Sequence, residues 1–346
     1  MRSFGNVRRI VVKLGTNVLT KDDELDRAFV YDIARQIAHL RDHGLEVCVV
    51  SSGAIGLGAR ELRITGRVQD VVLRQACAAV GQPVLMQVYR DAFSSRGITA
   101  AQTLITREAL DGRSSYVRLR NAVERLLELG VVPVFNENDS VATAEIGTAF
   151  GDNDQLSALV ASKVDASLLV LLSDVDGYYD RDPHRHASAT KQDTVEIVGA
   201  EMIEAAGKPG SSLGTGGMAT KLKSVRIAAD GGCRVVLAHG REEDVLPRII
   251  AGEPLGTVFA SRRTLRNRAR WLLHSAPRGT IHVDSGAMDA IRRHKRLLPT
   301  GIVAVDGNFD AGEVVMVNDQ AKLVSAFSSR ELSSVIGKNS SELGRI

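Results

Sequence analysis

The sequence is poor in aromatic residues and cysteine, and it contains no long apolar segment. Phe, Trp and Tyr make up 4% of its 346 residues, which argues against an aromatic surface for stacking nucleic-acid bases. The longest uninterrupted apolar run, residues 168–172, is far shorter than the ~20 residues of a membrane-spanning helix, and residues 1–9 hold no apolar signal segment. Cys48, Cys77 and Cys233 lack metal-ligand spacing, which indicates buried free thiols. We expect a cytoplasmic protein that does not enter a membrane.

The chain is long enough for two domains, and its character changes near residue 260. Beyond that point short β-like runs alternate with glycines, and only one helical pattern is clear. Positive charge also concentrates there, because residues 261–346 hold 14 Lys or Arg against 8 Asp or Glu. We predict a first domain at 1–260, a basic linker at 261–277 and a small β-rich domain at 278–346. The basic region fits either a nucleic-acid contact or a solvated linker.

The first domain alternates buried strands with amphipathic helices. Short apolar runs predict strands at residues 10–14, 47–50, 98–102, 131–135, 168–172 and 235–238. This alternation predicts an α/β fold, a three-layer αβα sandwich around a mostly parallel sheet. Ligands bind at the carboxyl ends of the strands in such sheets. Polar and glycine residues follow several of these strands, so we expect the functional site at that edge.

A glycine-rich stretch at residues 214–224 runs into Lys221 and then into a helical pattern. Glycine backbone N–H groups, a helix N-terminus and an ammonium group together attract phosphate. The stretch is not a dinucleotide-binding fingerprint, because no strand precedes it, and no Walker A motif occurs in the chain. Taken alone, the stretch is either a phosphate site or a flexible connector.

Several motifs occur together in a fixed order. They are VVKLGTNVLT (11–20), SSGAIGLG (51–58), VPVFNENDSVATAEI (132–146), GDND (151–154), LLSDVDGYY (171–179) and GTGGMATKL (214–222). With them the chain resembles the amino acid kinase family, and most closely its members that phosphorylate glutamate rather than aspartate, acetylglutamate, carbamate or uridylate. Two positions depart from the usual pattern, with Ser173 in place of Thr and Ala219 in place of Ser.

The tail resembles a PUA domain. Residues 279–291 and 297–315 carry this likeness, and the chain ends before the closing β-segment that PUA domains of this kind usually have. We therefore expect a PUA domain at 278–346 that lacks its final segment.

The resemblance implies transfer of the ATP γ-phosphoryl group, with Mg²⁺, to the side-chain carboxylate of L-glutamate, the first step of proline biosynthesis. A carboxylate with a pKa of about 4.3 is ionised near pH 7 and requires no general base. The difficulty is repulsion between two anions, so the protein must supply positive charge and positioning. The resemblance further implies inhibition by proline and a homo-oligomer (dimer or tetramer). Because acyl phosphates hydrolyse readily, direct delivery of the product to glutamyl phosphate reductase is a further hypothesis.

The resemblance also assigns roles to residues. Lys13 and Lys221 would stabilise the transferring phosphoryl group, and Asp154 would orient both ammonium groups. Glutamate would contact Ser52, Asp139 and Asn153, with Asn136 and Gly53 nearby. The predicted ATP-binding residues are Lys13, Ser173, Asp174, Thr215, Gly216, Gly217, Met218, Ala219, Thr220 and Lys221. Mg²⁺ would lie on phosphate oxygens and water, so we name no protein ligand for it.

Some readings stay open. Asn136 could instead be a turn residue, and residues 53–58 could be a turn leading into a helix rather than a loop that closes over substrate. The chain could also act on a different acid, or it could be an RNA-binding protein that works through its PUA domain.

Overall fold

The computed structural model describes residues 2, 4, 7–22, 24–66, 68–106, 110, 113–141, 153–183, 186–207, 217–261, 272, 275–293, 295 and 297–337. The chain divides into two compact units, one made of residues 1–109 and 117–267 and the other of residues 110–116 and 268–346. Within the described residues, no helix is long and apolar enough to cross a membrane.

The first unit is built on an eight-stranded sheet. Its strands and those of two small hairpins are, in chain order, β1 (Arg9–Leu14), β2 (Thr20–Lys21), β3 (Glu24–Leu25), β4 (Glu46–Val50), β5 (Ala100–Ile105), β6 (Val132–Glu137), β7 (Leu168–Ser173), β8 (Tyr178–Tyr179), β9 (Lys191–Gln192), β10 (Thr194–Val195), β11 (Arg234–His239) and β12 (Thr257–Phe259). The sheet order is β10-β12-β11-β7-β1-β4-β6-β5, and every pair is parallel except β11 with β12. The α/β fold with a mostly parallel sheet is confirmed.

Helices connect these strands. They are α1 (Thr16–Leu19), α2 (Arg27–Asp42), α3 (Ala54–Glu61), α4 (Val71–Ser94), α5 (Arg113–Glu128), α6 (Asn153–Lys163), α7 (Ala200–Gly207), α8 (Met218–Asp230) and α9 (Val245–Ile250). The helical patterns of the sequence correspond to α2, α4, α5, α6 and α8. Helix α3 is one of the two readings of residues 53–58, and the sequence does not predict α1, α7 and α9.

The alternation of side chains along β1 assigns its residues to the two faces of the sheet. Ile10, Val12 and Leu14 pack in one apolar cluster with residues of α2 and α4. Val11 and Lys13 therefore point to the opposite face. Helices α6 and α8 pack against each other, and α6 also contacts β1. The strand thus directs a lysine toward the helices that follow β6 and precede β11.

Two glycines allow α3 and α4 to approach closely. A Cβ on Gly58 would lie 1.7 Å from the carbonyl oxygen of Cys77, and one on Gly81 would lie 1.9 Å from that of Ala54. Gly53, with a φ of +96°, is the N-cap of α3. Residues 53–58 are therefore a turn leading into a helix, the second of the two readings left open by the sequence.

A Gly81→Ala substitution should destabilise the first unit. Its methyl group would overlap backbone atoms of α3, and such overpacking typically costs about 1–3 kcal/mol, occasionally more. Gly56→Ala is the matched control, because Gly56 lies on the exposed side of α3, where an added methyl group would meet no atom within 4 Å. The control should be neutral or stabilising by about 0.5–1 kcal/mol. Urea unfolding of both variants compares them, and equal midpoints would contradict the packing role of Gly81.

The second unit is a small β-rich domain. Its strands and helices are β13 (Gly279–Val283), β14 (Ile302–Gly307), β15 (Val314–Val317), β16 (Ala321–Val324), α10 (Ser285–Arg292) and α11 (Ser329–Val335). The sheet order is β14-β13-β15-β16, and Ile281, Met288 and Phe309 belong to its apolar core. The β-like runs that the sequence indicates at 280–283, 301–305, 313–317 and 323–327 correspond to β13, β14, β15 and β16, although β16 already ends at Val324. The prediction of a single helix was wrong, because α11 also forms, with a capping box of Ser328 and Glu331.

Candidate active site

Three charged side chains meet at the carboxyl end of β1. Lys13 is 3% exposed, and its Nζ forms an ion pair with Oδ1 of Asp154. The Nζ of Lys221 donates a hydrogen bond of 3.0 Å to Oδ2 of the same carboxylate. Asp154 itself is 1% exposed. We call these three residues the charge cluster; with their ordinary charges they carry one net positive charge in a site shielded from water.

Local structure explains how the charge cluster is assembled. Asp154 lies in the first turn of α6, where the helix dipole favours a carboxylate. Lys221 lies in the first turn of α8, where its charge adds to the positive end of the helix dipole. Lys13 precedes Gly15, at which a Cβ would be 3.4 Å from the Lys13 Nζ. The ammonium group therefore lies over the turn that follows β1.

Three polar residues form a second group, which we call the amide cluster: Ser52, Asn136 and Asn153. The Nδ2 of Asn153 lies 2.9 Å from Oδ1 of Asn136 and 3.2 Å from Oγ of Ser52. It also donates to the carbonyl oxygen of Ser51 at 2.6 Å. Asn136 is 1% exposed and lies inside β6, so it is not a turn residue. The structure thus brings together three of the residues predicted to bind glutamate, and Gly53 follows Ser52 directly.

Asp139 lies just beyond β6 and is half-buried. Within the described ranges, no hydrogen bond joins it to the amide cluster. Burial raises the pKa of Asp139, and the nearby positive charge of Arg74 only partly opposes this shift. An incoming ammonium group would compensate for the burial of this carboxylate, since opposite charges stabilise each other at short range.

If the chain acts on glutamate, as the resemblance implies, and Asp139 binds the ammonium group of that substrate, turnover should depend on pH through this carboxyl. Because its pKa lies above the ordinary value of 3.8, it is protonated at a pH where an ordinary Asp is still ionised. The kcat/KM for glutamate should therefore fall as the pH is lowered through this raised pKa, which belongs to the free enzyme. A pH profile of kcat/KM measures the effect.

The Asp139→Asn variant is the control for that pH dependence. It should have a lower kcat/KM near neutral pH and should lose the acid limb that belongs to Asp139, keeping only the titration of the substrate carboxyl at about 4.3. An unchanged profile in the variant would exclude Asp139 as the ammonium partner.

A cavity of about 620 Å³ opens beyond the carboxyl end of β7. Its lining comes from the segment after β7, from α7, from the start of α8 and from the end of β11: residues 174–183, Met202, Ala205, Ala206, Met218 and His239. This volume is within the usual range of small-molecule sites. Two of the predicted ATP-binding residues, Asp174 and Met218, line it. The sequence did not point to Tyr178, Met202 or His239, which come from separate elements.

Asp174 is held by two side chains at the edge of this cavity. It accepts hydrogen bonds from Nδ2 of Asn17 at 2.7 Å and from Oγ of Ser173 at 2.9 Å. Burial alone would raise the pKa of Asp174, but these hydrogen bonds outweigh it and the pKa lies below its ordinary value. The carboxylate therefore stays ionised at neutral pH.

The remaining predicted ATP-binding residues lie at the start of α8 or just before it. Gly217 is the N-cap of α8, and Thr220 donates from Oγ1 to the Gly217 carbonyl oxygen at 2.8 Å. Ala219 lies in the same first turn. Thr215 and Gly216 lie outside the described residues.

No cluster of three or more His, Cys, Asp or Glu side chains suited to a metal ion occurs in the part of the chain that the structure describes. Both oxygens of Asp154 face ammonium groups, and Asp174 accepts from Asn17 and Ser173. Both carboxylates are therefore already engaged by donors of this chain.

Comparison with known families identifies the class of protein to which this chain belongs. The model of the amino acid kinase family matches residues 8–239, and the PUA domain model matches residues 279–346. The chain therefore belongs to the amino acid kinase family and carries a PUA domain.

Relatives named glutamate 5-kinase align with nearly the whole chain. The protein of Methanosarcina barkeri is 45% identical over 353 residues, with 98% of this chain and 92% of the relative covered. That of Methanococcoides burtonii is 39% identical over 349 residues, covering 99% and 93%. That of Syntrophotalea carbinolica is 42% identical over 348 residues, covering 98% and 93%.

Solved structures with a similar fold include two UMP kinases. The enzyme from Bacillus anthracis superposes with a TM-score of 0.51 at 18% identity, covering 75% of this chain and 98% of that one. The enzyme from Ureaplasma parvum gives a TM-score of 0.50 at 17% identity, covering 75% and 100%. At this identity the likeness concerns the fold alone.

Proposed function

We propose that this chain transfers the γ-phosphoryl group of ATP to the side-chain carboxylate of L-glutamate, giving L-glutamyl 5-phosphate in the first step of proline biosynthesis. The observation that carries the proposal is the charge cluster of Lys13, Asp154 and Lys221. Strand β1, which carries Lys13, lies between β7 and β4 in the sheet. The segment after β7 lines the cavity, and the segment after β4 contains Ser52 of the amide cluster. The relatives named glutamate 5-kinase support glutamate as the acceptor.

The chemistry is an in-line displacement at phosphorus. A carboxylate oxygen of glutamate forms a bond to the γ-phosphorus while the bond to the β–γ bridging oxygen breaks and ADP leaves. The carboxylate is already ionised near pH 7, so no proton has to be removed. Lys13 then stabilises charge on the transferring phosphoryl group, and Lys221 stabilises charge on the leaving side. Asp154 holds both ammonium groups in place.

The residues that follow β4 and β6 bind glutamate. Asp139 is a suitable partner for the α-ammonium group, because a bond between opposite charges is stronger than a neutral one. Ser52, Asn153 and the backbone at Gly53 surround the acceptor, and Asn136 supports Asn153. ATP occupies the cavity beyond β7, with its phosphates directed toward Gly217 and Lys221.

Further properties belong to the proposal. Mg²⁺ bound with ATP would offset part of the phosphate charge, and we propose no residue of this chain as its ligand. Proline inhibits at or near the glutamate site, the protein is a cytoplasmic homo-oligomer, and the acyl phosphate passes to glutamyl phosphate reductase. Contact of the PUA domain with RNA stays a prediction.

Trapping the product tests the proposed function. Hydroxylamine converts an acyl phosphate to a stable hydroxamate, which should accumulate with glutamate, ATP and Mg²⁺ together and not when any one is omitted. Aspartate, N-acetylglutamate and UMP serve as competing acceptors, with ADP release as the common readout. Faster ADP release with one of these acceptors than with glutamate would overturn the assignment of the substrate.

A further inference from the structure

Gln82 is a buried polar residue of α4 to which the proposed reaction assigns no role. It is 7% exposed, and a buried amide is costly unless it is hydrogen-bonded. Its Oε1 accepts a hydrogen bond of 2.7 Å from Nδ2 of Asn136. Its Nε2 makes only a long contact of 3.4 Å to Oε1 of Gln102, an exposed residue of β5. The short bond to Asn136 is therefore its principal one.

Two backbone groups show which way the side-chain amides of Asn136 and Asn153 point. The backbone N–H of Glu137 can only donate, and it donates to Oδ1 of Asn136 at 3.0 Å. Asn136 must therefore direct its Nδ2 toward α4, where the Oε1 of Gln82 meets it. At the other end, the Ser51 carbonyl oxygen can only accept, so it faces the Nδ2 of Asn153.

These constraints decide which atom of Asn153 remains for a ligand. Its Nδ2 has two hydrogens and already lies near three acceptors, which are Ser51, Ser52 and Asn136. Among the described residues no group donates to the Asn153 Oδ1. That oxygen is an acceptor, and it suits an ammonium group rather than a carboxylate.

We propose that Gln82 is a positioning residue that keeps the side-chain amides of Asn136 and Asn153 in one orientation. In that orientation the Asn153 Oδ1 accepts a hydrogen bond from the α-ammonium group of the amino-acid substrate. The inference rests on the proposed function. Gln82 touches neither substrate and acts through Asn136. Loss of its oxygen leaves the Asn136 Nδ2 buried without an acceptor, and the amide network then relaxes toward other orientations.

The test compares glutamate with glutarate, which lacks the α-ammonium group, in the full-length protein. Gln82→Met removes the acceptor while keeping the length of the side chain. It should lower kcat/KM for glutamate roughly 10- to 100-fold, the range for hydrogen bonds to charged groups. The effect should appear mainly in the KM for glutamate, with kcat/KM for glutarate and the KM for ATP nearly unchanged. Gln82→Glu keeps an acceptor for Asn136 and should retain most of the preference for glutamate.

Gln87→Met is the matched control, because Gln87 lies on the exposed face of the same helix and its Nε2 donates to Oδ1 of Asp91 at 2.7 Å. It should behave as the parent. An equal loss with glutamate and glutarate in Gln82→Met would overturn the positioning role, as would a folded Gln82→Glu variant without the preference for glutamate. Should Gln82→Met not fold, Gln82→Glu decides the question alone. Absence of hydroxamate from the parent protein would instead reject the proposed function.

Discussion

A Lys13→Met variant is expected to lose roughly 100- to 1000-fold in kcat for glutamyl phosphate formation, the range measured when one preorganised donor to a developing negative charge is removed. Lys13 is nearly inaccessible to water, so its charge acts in a medium of low dielectric constant, where a charge interaction is stronger than in water. Because the charge on the phosphoryl group is redistributed in the transition state, kcat should fall more than the KM values rise.

The matched control for Lys13 is Lys223→Met. Lys223 is an exposed lysine of α8, two residues from Lys221, and its loss should leave turnover unchanged. The hydroxamate assay at saturating glutamate and ATP measures kcat for both variants. Full turnover in a folded Lys13→Met variant would remove this lysine from the mechanism.

An Asp154→Asn variant is expected to lose about 3–5 kcal/mol in free energy of unfolding, the usual consequence of removing one partner from a buried ion pair. The carboxylate separates two ammonium groups that otherwise face each other in a buried site. Turnover should also fall, because Lys13 and Lys221 lose the group that orients them. Urea unfolding and the hydroxamate assay measure the two effects.

A double-mutant cycle separates the charge effect from loss of packing. Combining Lys13→Met with Asp154→Asn removes one of the two repelling charges, so the double variant should be less destabilised than the sum of the single variants. Glu128→Gln is the control, because its pair with Arg125 is exposed at 3.0 Å and should be worth no more than about 1 kcal/mol. An unfolding midpoint of Asp154→Asn equal to that of the parent would show that the carboxylate does not hold the lysines.

The fold was predictable where burial and periodicity agree. Strands β4 and β7 are built on continuous apolar runs, β1 on one that only Lys13 interrupts, and α2 and α5 have one apolar face, so pattern alone identifies them. The sequence could not decide between a loop and the start of α3 at residues 53–58, because glycines are typical of loops, whereas Gly58 serves close helix packing. The strand predicted at 98–102 lies at Ala100–Ile105, since short apolar runs define the ends of a strand poorly.

The sequence indicated which residues belong to the site better than it indicated how those residues are arranged in space. The family resemblance is what predicted Lys13 and Asp154 together, because Asp154 lies in the first turn of α6 and does not directly follow a strand. That both lysines contact one carboxylate depends on α6 and α8, which are separated in sequence and meet only in the fold. Gln82 gave no signal, because it lies in an alanine-rich helix and its partner Asn136 is 54 residues away.

The central position of β1 in the sheet has a consequence for dividing the enzyme into two fragments. Lys13 belongs to the stretch that ends with β6, whereas Asp154 and Lys221 belong to the stretch that begins with α6. A break between these stretches would give one fragment that retains most acceptor contacts and another that retains the nucleotide cavity, each with an incomplete set of charges. Activity would then return only when the two fragments reassemble along β1. Chimeras between relatives must therefore preserve the contacts that join the two stretches at β1.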